Sequence, residues 1–183
     1  MRIVIVTLIA TLCVGCASIF GGYGGEFSTQ AGSTASPGAS FAVVNASGAG
    51  KQNPALEESI TRGLEQLGFV VATDSSSAQI IAEYSFSVSK PKIRFRNLSH
   101  GFNNTNEMYT QTVYTKTLAM SVHSLDSQLI WEGSLSSEDS NDDIGTLADI
   151  YVGQLLSHFG QTVTDEDWFM PRFASDNILA KIY

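Results

Sequence analysis

The sequence predicts an α+β protein: a two-layer sandwich in which a mainly antiparallel sheet of about five strands carries two helices on one face, in the order β-α-β-β-β-β-α. Three observations predict it. A capped stretch of helical periodicity follows a short β-branched run. Two later stretches alternate apolar and polar residues with period two. A second helical stripe then closes on a glycine.

The first element is a strand over Ser40–Asn45, where Phe41, Val43 and Val44 stand between glycine and asparagine. Asn53-Pro54 then starts a helix, with Asn as the cap and Pro at the first helical position. Glu57 and Glu58 suit its positive end. Leu56, Ile60, Leu64 and Leu67 form its apolar stripe, and Gly68 stops it. A strand is expected over Phe69–Thr73, then a turn at Asp74–Ser77. Across Gln79–Ser89 the alternation places Ile80, Ala82, Tyr84, Phe86 and Val88 on one face, and Pro91 ends the run. Residues 92–107 read as a polar connection. Met108–Ser124 reads as a long strand with Tyr114, Leu118, Met120 and Val122 inward. It pairs as a hairpin with Leu129–Leu135 through the turn 125–128. Ser136–Asp143 reads as a polar loop. A helix is predicted from Ile144 to Phe159, with Leu147, Ile150, Tyr151, Leu155 and His158 on one stripe and Gly160 closing it. In the tail, 161–183, Trp168, Phe169 and Phe173 are expected to cover the core, and Asn177–Tyr183 to add a short element.

The chain has 183 residues and a net charge of −8. That length suits one domain able to bury a core without disulfides. The acidity argues against nucleic acid as a partner, which needs a basic footprint, and against broad adhesion to anionic lipid. Both cysteines, Cys13 and Cys16, lie in the first sixteen residues. Cutting before Cys16 removes fifteen of the 183 residues, leaves 168, and leaves Cys16 as the one thiol, so neither a disulfide nor a cysteine metal site is expected.

The start reads as a secretory leader over residues 1–15. Arg2 supplies a positive end, and Ile3–Val14 carries no charge. As a helix that stretch spans about 18 Å, short of the roughly 30 Å hydrocarbon core. It ends in Leu12-Cys13-Val14-Gly15-Cys16, with Ala17 and Ser18 following. This resembles the lipobox of bacterial lipoproteins, with Cys13 standing where Leu is usual. The resemblance implies a diacylglyceryl group on the Cys16 thiol, cleavage before it, and acylation of the new amino end. Ala17, where Asp would retain the protein at the inner membrane, implies the outer membrane, on its periplasmic side. Two or three acyl chains make such an anchor effectively permanent. Residues 16–39, rich in Gly, Ser, Thr and Ala, read as a flexible tether with a reach of roughly 25 Å, leaving 40–183 as the single domain.

A second resemblance rests on three motifs in order: Leu67-Gly68-Phe69 at the end of a helix, Ala78-Gln79-Ile80 to Tyr84 in a strand, and Leu129-Ile130-Trp131-Glu132-Gly133 closing a hairpin. Together, over about 40–160, they resemble a family of small Gram-negative lipoproteins known only as a domain of unknown function. That resemblance implies a fold and an envelope location. It implies no catalytic residue.

Candidate chemistry is sparse. His100, His123 and His158 have no metal-ligand spacing. Asp139, Asn141 and Asp143 sit at calcium-loop positions one, three and five, but Ile144 replaces the loop glycine and Ile150 the bidentate Glu, so capping and solvation are expected. Asp165-Glu166-Asp167 reads as a solvated turn. No nucleophile elbow or phosphate loop occurs. No catalytic residue, metal or cofactor is expected. Lys90, Lys92, Arg94 and Arg96 alternate with Pro91, Ile93 and Phe95, so an extended segment aligns four cations. Two readings stand: a site for a phosphate, a carboxylate-rich glycan or an acidic partner, or an edge strand using charge to prevent pairing.

The expectation is therefore a non-enzymatic accessory or binding module of the cell envelope, joined to the membrane through Cys16 and meeting an envelope protein or glycan. The alternatives are a structural subunit of a transenvelope assembly and a hydrolase with a cryptic site.

Overall fold

The computed structural model describes residues 22–46, 52–99, 106–140 and 142–171. These form β1 (Gly22–Ala31), β2 (Ser40–Asn45), α1 (Pro54–Gln66), β3 (Val70–Val71), β4 (Ile80–Val88), β5 (Lys92–Ser99), β6 (Asn106–Ser124), β7 (Leu129–Asp139), a 3-10 turn at Gly145–Leu147, α2 (Ala148–Leu156) and β8 (Val163–Pro171).

The helix α1 forms as its caps dictate. The Asn53 side chain accepts from the Leu56 N–H at 3.3 Å, and Pro54 opens the first turn. At the other end Gly68 takes φ +88°, its N–H donates to Glu65 at 2.9 Å, and the Phe69 N–H reaches back to Leu64 at 3.1 Å. This is the paired-carbonyl stop that a left-handed glycine allows. Leu56, Ile60 and Leu64 are fully buried, each worth about 2 kcal/mol of apolar transfer.

The sheet corrects the predicted fold class. Instead of about five mainly antiparallel strands in an α+β sandwich, the described residues are mostly β: a mixed sheet of eight strands with two helices. The order is β3-β2-β4-β6-β7-β1-β8, with β5 pairing β6 off this path. β2 runs parallel to both β3 and β4, while the other pairs are antiparallel. Three strands lie where none was expected. β1 occupies the segment read as tether, β5 and the start of β6 occupy the polar connection, and β8 occupies the tail. β7 also runs on to Asp139, through half of the predicted Ser/Asp loop.

The tether reading therefore fails from residue 22 onward. β1 is held between β7 and β8, with Gly25 opposite Ser137 on one side and Trp168 on the other. Its glycines serve closeness here. A β-carbon on Gly25 would collide with the Ser136 carbonyl oxygen. After β1, the Gly32 and Ser33 N–H groups bond the Ile130 and Leu129 carbonyls at 2.9 Å.

The second helix is shorter than predicted, Ala148–Leu156, and is buried nearly all round. It packs on the same sheet face as α1 and beside it, approaching it at Gly63, where a β-carbon would strike Leu156. One core joins both helices to one sheet face, through Phe41, Tyr84, Leu118, Trp131 and Leu135. Of the inward residues predicted for β6, Leu118, Met120 and Val122 are buried and Tyr114 is half-buried. Trp168 covers the core at 5% exposure, Phe169 is 51% exposed, and Phe173 and Asn177–Tyr183 lie outside the described residues.

Candidate functional site

The two faces of the sheet differ in chemistry because strand residues alternate sides. Tyr84 stands opposite Met120, Met120 opposite Gly133, and Gly133 opposite Thr29. That row faces the helices. One residue along, Glu83, Ser121, Glu132 and Gln30 are aligned in the same way across β4, β6, β7 and β1, and they face away. Next to them run Ser85, Ala119, Ser134 and Ser28, with the Ser28 and Ser134 hydroxyls 3.2 Å apart.

These two rows floor an open groove of about 550 Å³, lined also by Thr162 and the first residues of β8, Val163 to Asp165. Asp165 there takes φ +47°. Hydroxyls and three carboxylates (Glu83, Glu132 and Asp165) line the groove. Glu83 and Glu132 are two strands apart, roughly 10 Å by strand spacing. Such a surface offers hydrogen-bond acceptors and donors to an extended polar ligand. The sequence reading missed it, because its residues come together only through cross-strand register.

The helix-facing side holds the buried polar groups. The Tyr84 hydroxyl donates to Glu57 at 2.8 Å and accepts from the Asn45 side chain at 3.1 Å and the Asn53 N–H at 3.3 Å. It ties β2, β4 and the start of α1 together. Burial raises its pKa, the Asn53 N–H opposes this, and the Glu57 hydrogen bond and charge add to the rise. Tyr151 hydrogen-bonds Ser137, and its ring packs edge-on against Trp168 at 5.9 Å. Burial pushes its pKa up to about 12, with the Asp139 charge adding and the Ser137 bond opposing.

Lys116 is fully buried, with Nζ 2.9 Å from the Asp143 carbonyl and 3.7 Å from an Asp139 carboxylate oxygen. Asp139 and Asp143 serve a buried cation, and the Asp143 side chain also accepts from the Gly145 N–H at 2.8 Å. Asn141 lies outside the described residues. Among the described residues no three His, Cys, Asp or Glu side chains gather as a metal site.

His123 is on β6, and His100 lies outside the described residues. His158 follows α2; its ring is 4.7 Å from Phe27, and its carbonyl accepts from Trp131 Nε1 at 3.1 Å. Cys16 lies outside the described residues. Lys90 and Lys92 are exposed just before and at the start of β5. Arg94 and Arg96 occupy alternate positions of that strand, opposite Gln111 and Tyr109. Lys90 and Lys92 are not among the residues that line the groove.

No family model and no curated protein matches the chain. Solved structures similar to the chain in part include two forms of one assembly. The PelC dodecamer from Paraburkholderia phytofirmans has a TM-score of 0.46 and 12% identity, covering 76% of this chain and 99% of that one. A point variant of that dodecamer has a TM-score of 0.45 and 13% identity, covering 75% and 98%. Neither likeness carries a functional statement about this chain.

Proposed function

We propose that the protein is a non-enzymatic lipoprotein of the cell envelope, anchored in the outer membrane through lipid on Cys16, with its domain in the periplasm as an accessory or binding module. The observation that carries this reading is the uncharged stretch Ile3–Val14 ending in Leu12-Cys13-Val14-Gly15-Cys16. The position of β1 supports it. The strand starts at Gly22, so only five residues, 17–21, separate the anchor from the folded domain. Six residue steps span at most about 20 Å, so the module works next to the bilayer. The open polar groove floored by Ser28, Glu83, Ser121 and Glu132 is the surface offered to an envelope protein or glycan.

Intact-mass spectrometry of the membrane-extracted protein tests the anchor. The expected mass is that of a chain beginning at Cys16 plus two or three acyl chains. Cys16→Ala is expected to abolish the acyl mass and leave the leader attached. A chain with a free Cys16 thiol overturns the reading. Photo-crosslinkers placed at Ser121 and Lys92 in intact cells then test the module, with capture of one defined envelope component expected. Turnover of a glycan or ester substrate by the purified protein would overturn the non-enzymatic part.

A further inference from the structure

We propose that the two-stranded ribbon of β5 with the first part of β6 is a membrane-facing arm, and that Lys90 just before it and Lys92, Arg94 and Arg96 on it bind the anionic phospholipid headgroups of the bilayer that holds Cys16. This inference rests on the lipid anchor proposed above.

Register places the ribbon. Lys116 pairs with Ser137, and Ser137 pairs with Gly25. Three residues toward the start of β1 put Gly22 level with Val113. Val113 is where the ribbon begins, paired with Lys92. β1 and β6 are each antiparallel to β7, so they run the same way. The anchored end of β1 and the projecting ribbon therefore share one end of the sheet, two strand spacings or about 10 Å apart. From Val113 to Asn106 the ribbon extends seven residue steps, about 24 Å. The link from Cys16 to Gly22 spans at most about 20 Å. A bilayer holding Cys16 thus lies no farther from the sheet than the ribbon reaches.

Among the described strands the ribbon also has no further pairing partner. β7 pairs β6 only as far as Tyr114, β4 only as far as Lys116, and β5 pairs β6 alone. A ribbon of two strands gains little stability in water by itself, so a contacting surface would steady it.

Charge and exposure choose that surface. The chain is at −8, yet the segment 90–113 carries four cations against Glu107, a net +3. Of the cations among the other described residues, Lys116 is buried and Arg62 bridges Asp149 at 2.7 Å. Lys90, Pro91 and Lys92 are exposed, and Ile93 is 65% exposed beside them. Lys92, Arg94 and Arg96 hold alternate positions of β5 and so share one face of the ribbon, and a row of cations suits an anionic headgroup layer. An acidic domain is otherwise repelled there, so the arm also fixes which end of the domain meets the lipid.

Lysine acetylation of the membrane-extracted protein, reconstituted in vesicles, tests the arm. One set is phosphatidylcholine and the other contains about 30% phosphatidylglycerol. Modification of Lys90 and Lys92 is expected to slow about fivefold on the anionic vesicles, the partition effect of one basic residue near such a surface. It is expected to recover at about 0.5 M salt. Arg94→Gln/Arg96→Gln, its fold checked by melting temperature, is expected to remove most of the slowing. The intact mass of the same sample separates the two ideas. No lipid on Cys16 overturns the anchor and the arm with it. Lipid present with equal rates on both vesicles overturns the arm alone. Slowing seen in cells but on neither vesicle assigns the segment to an acidic protein and also overturns the proposal.

Discussion

The Lys116 ammonium donates to the Asp143 carbonyl at 2.9 Å while fully shielded from water, and Asp139, at 19% exposure, lies 3.7 Å from it. A buried charge of this kind makes the two partners unequal. Lys116→Met removes the charge with little change in volume and leaves a carboxylate that still reaches water, a cost of about 1–2 kcal/mol. Asp139→Ala leaves the ammonium buried without its counter-charge, a cost of about 3 kcal/mol or more. Urea denaturation of both variants checks the order, and the reverse order would show that Asp143 alone satisfies the lysine.

Gly25→Ala separates a strand from a tether. In a flexible linker the change is silent. In β1 the new β-carbon meets the Ser136 backbone, which cannot swing aside. The expected loss is about 3 kcal/mol, at the upper end of overpacking costs, read as a lower melting temperature. Hydrogen exchange at 22–31 in the parent protein should be slow where those residues pair with β7 and β8.

Alkaline titration should destabilise the fold through Tyr151. Its hydroxyl has a pKa pushed up to about 12 from the ordinary 10.0. A group raised in the folded state contributes fully below its unfolded pKa and loses that contribution as pH rises through the folded one. Stability should therefore fall between about pH 10 and pH 12, by at most about 2–3 kcal/mol from this residue. Tyr151→Phe is expected to flatten that fall, while losing about 1 kcal/mol at neutral pH with the Ser137 hydrogen bond. Tyr84, raised in the same direction, keeps some alkaline slope in the variant.

The contact between the helices should depend on closeness more than on charge. Arg62 and Asp149 form an ion pair at 2.7 Å, but each is 47% exposed. Arg62→Ala is expected to cost under about 1 kcal/mol. Gly63→Val brings a branched side chain against Leu156 and Val152 and is expected to cost about 2–3 kcal/mol. Thermal melts of the two variants decide the ranking.

Local rules carried far in this sequence. Asn53, Pro54 and Gly68 set the ends of α1, because a cap and a left-handed glycine act within one helical turn. Alternation identified the buried residues Ile80, Ala82 and Tyr84, since a strand with one wet face shows its period in any window. The same stripe logic passed over Lys116, whose position between Tyr114 and Leu118 already put it on the inner face. Only its partners, Asp139 and Asp143, make a cation tolerable there.

What the sequence by itself determined is the set of elements whose causes are near neighbours: α1 with its caps, the cores of β2, β4, β6 and β7, and the run into Cys16 on which the proposed anchor rests. The tertiary structure alone decided the rest. Gly22–Ala31 has the composition of a linker and becomes a strand because β7 and β8 supply its hydrogen-bond partners from a hundred or more residues away. β2 lies between β3 and β4 as a parallel strand, an arrangement no hairpin spacing announces. The groove floored by Glu83, Ser121, Glu132 and Gln30, and the end of the sheet from which the basic ribbon projects, follow from register across four strands. Register is fixed by the matching of buried faces between distant segments, and no single window of sequence contains it.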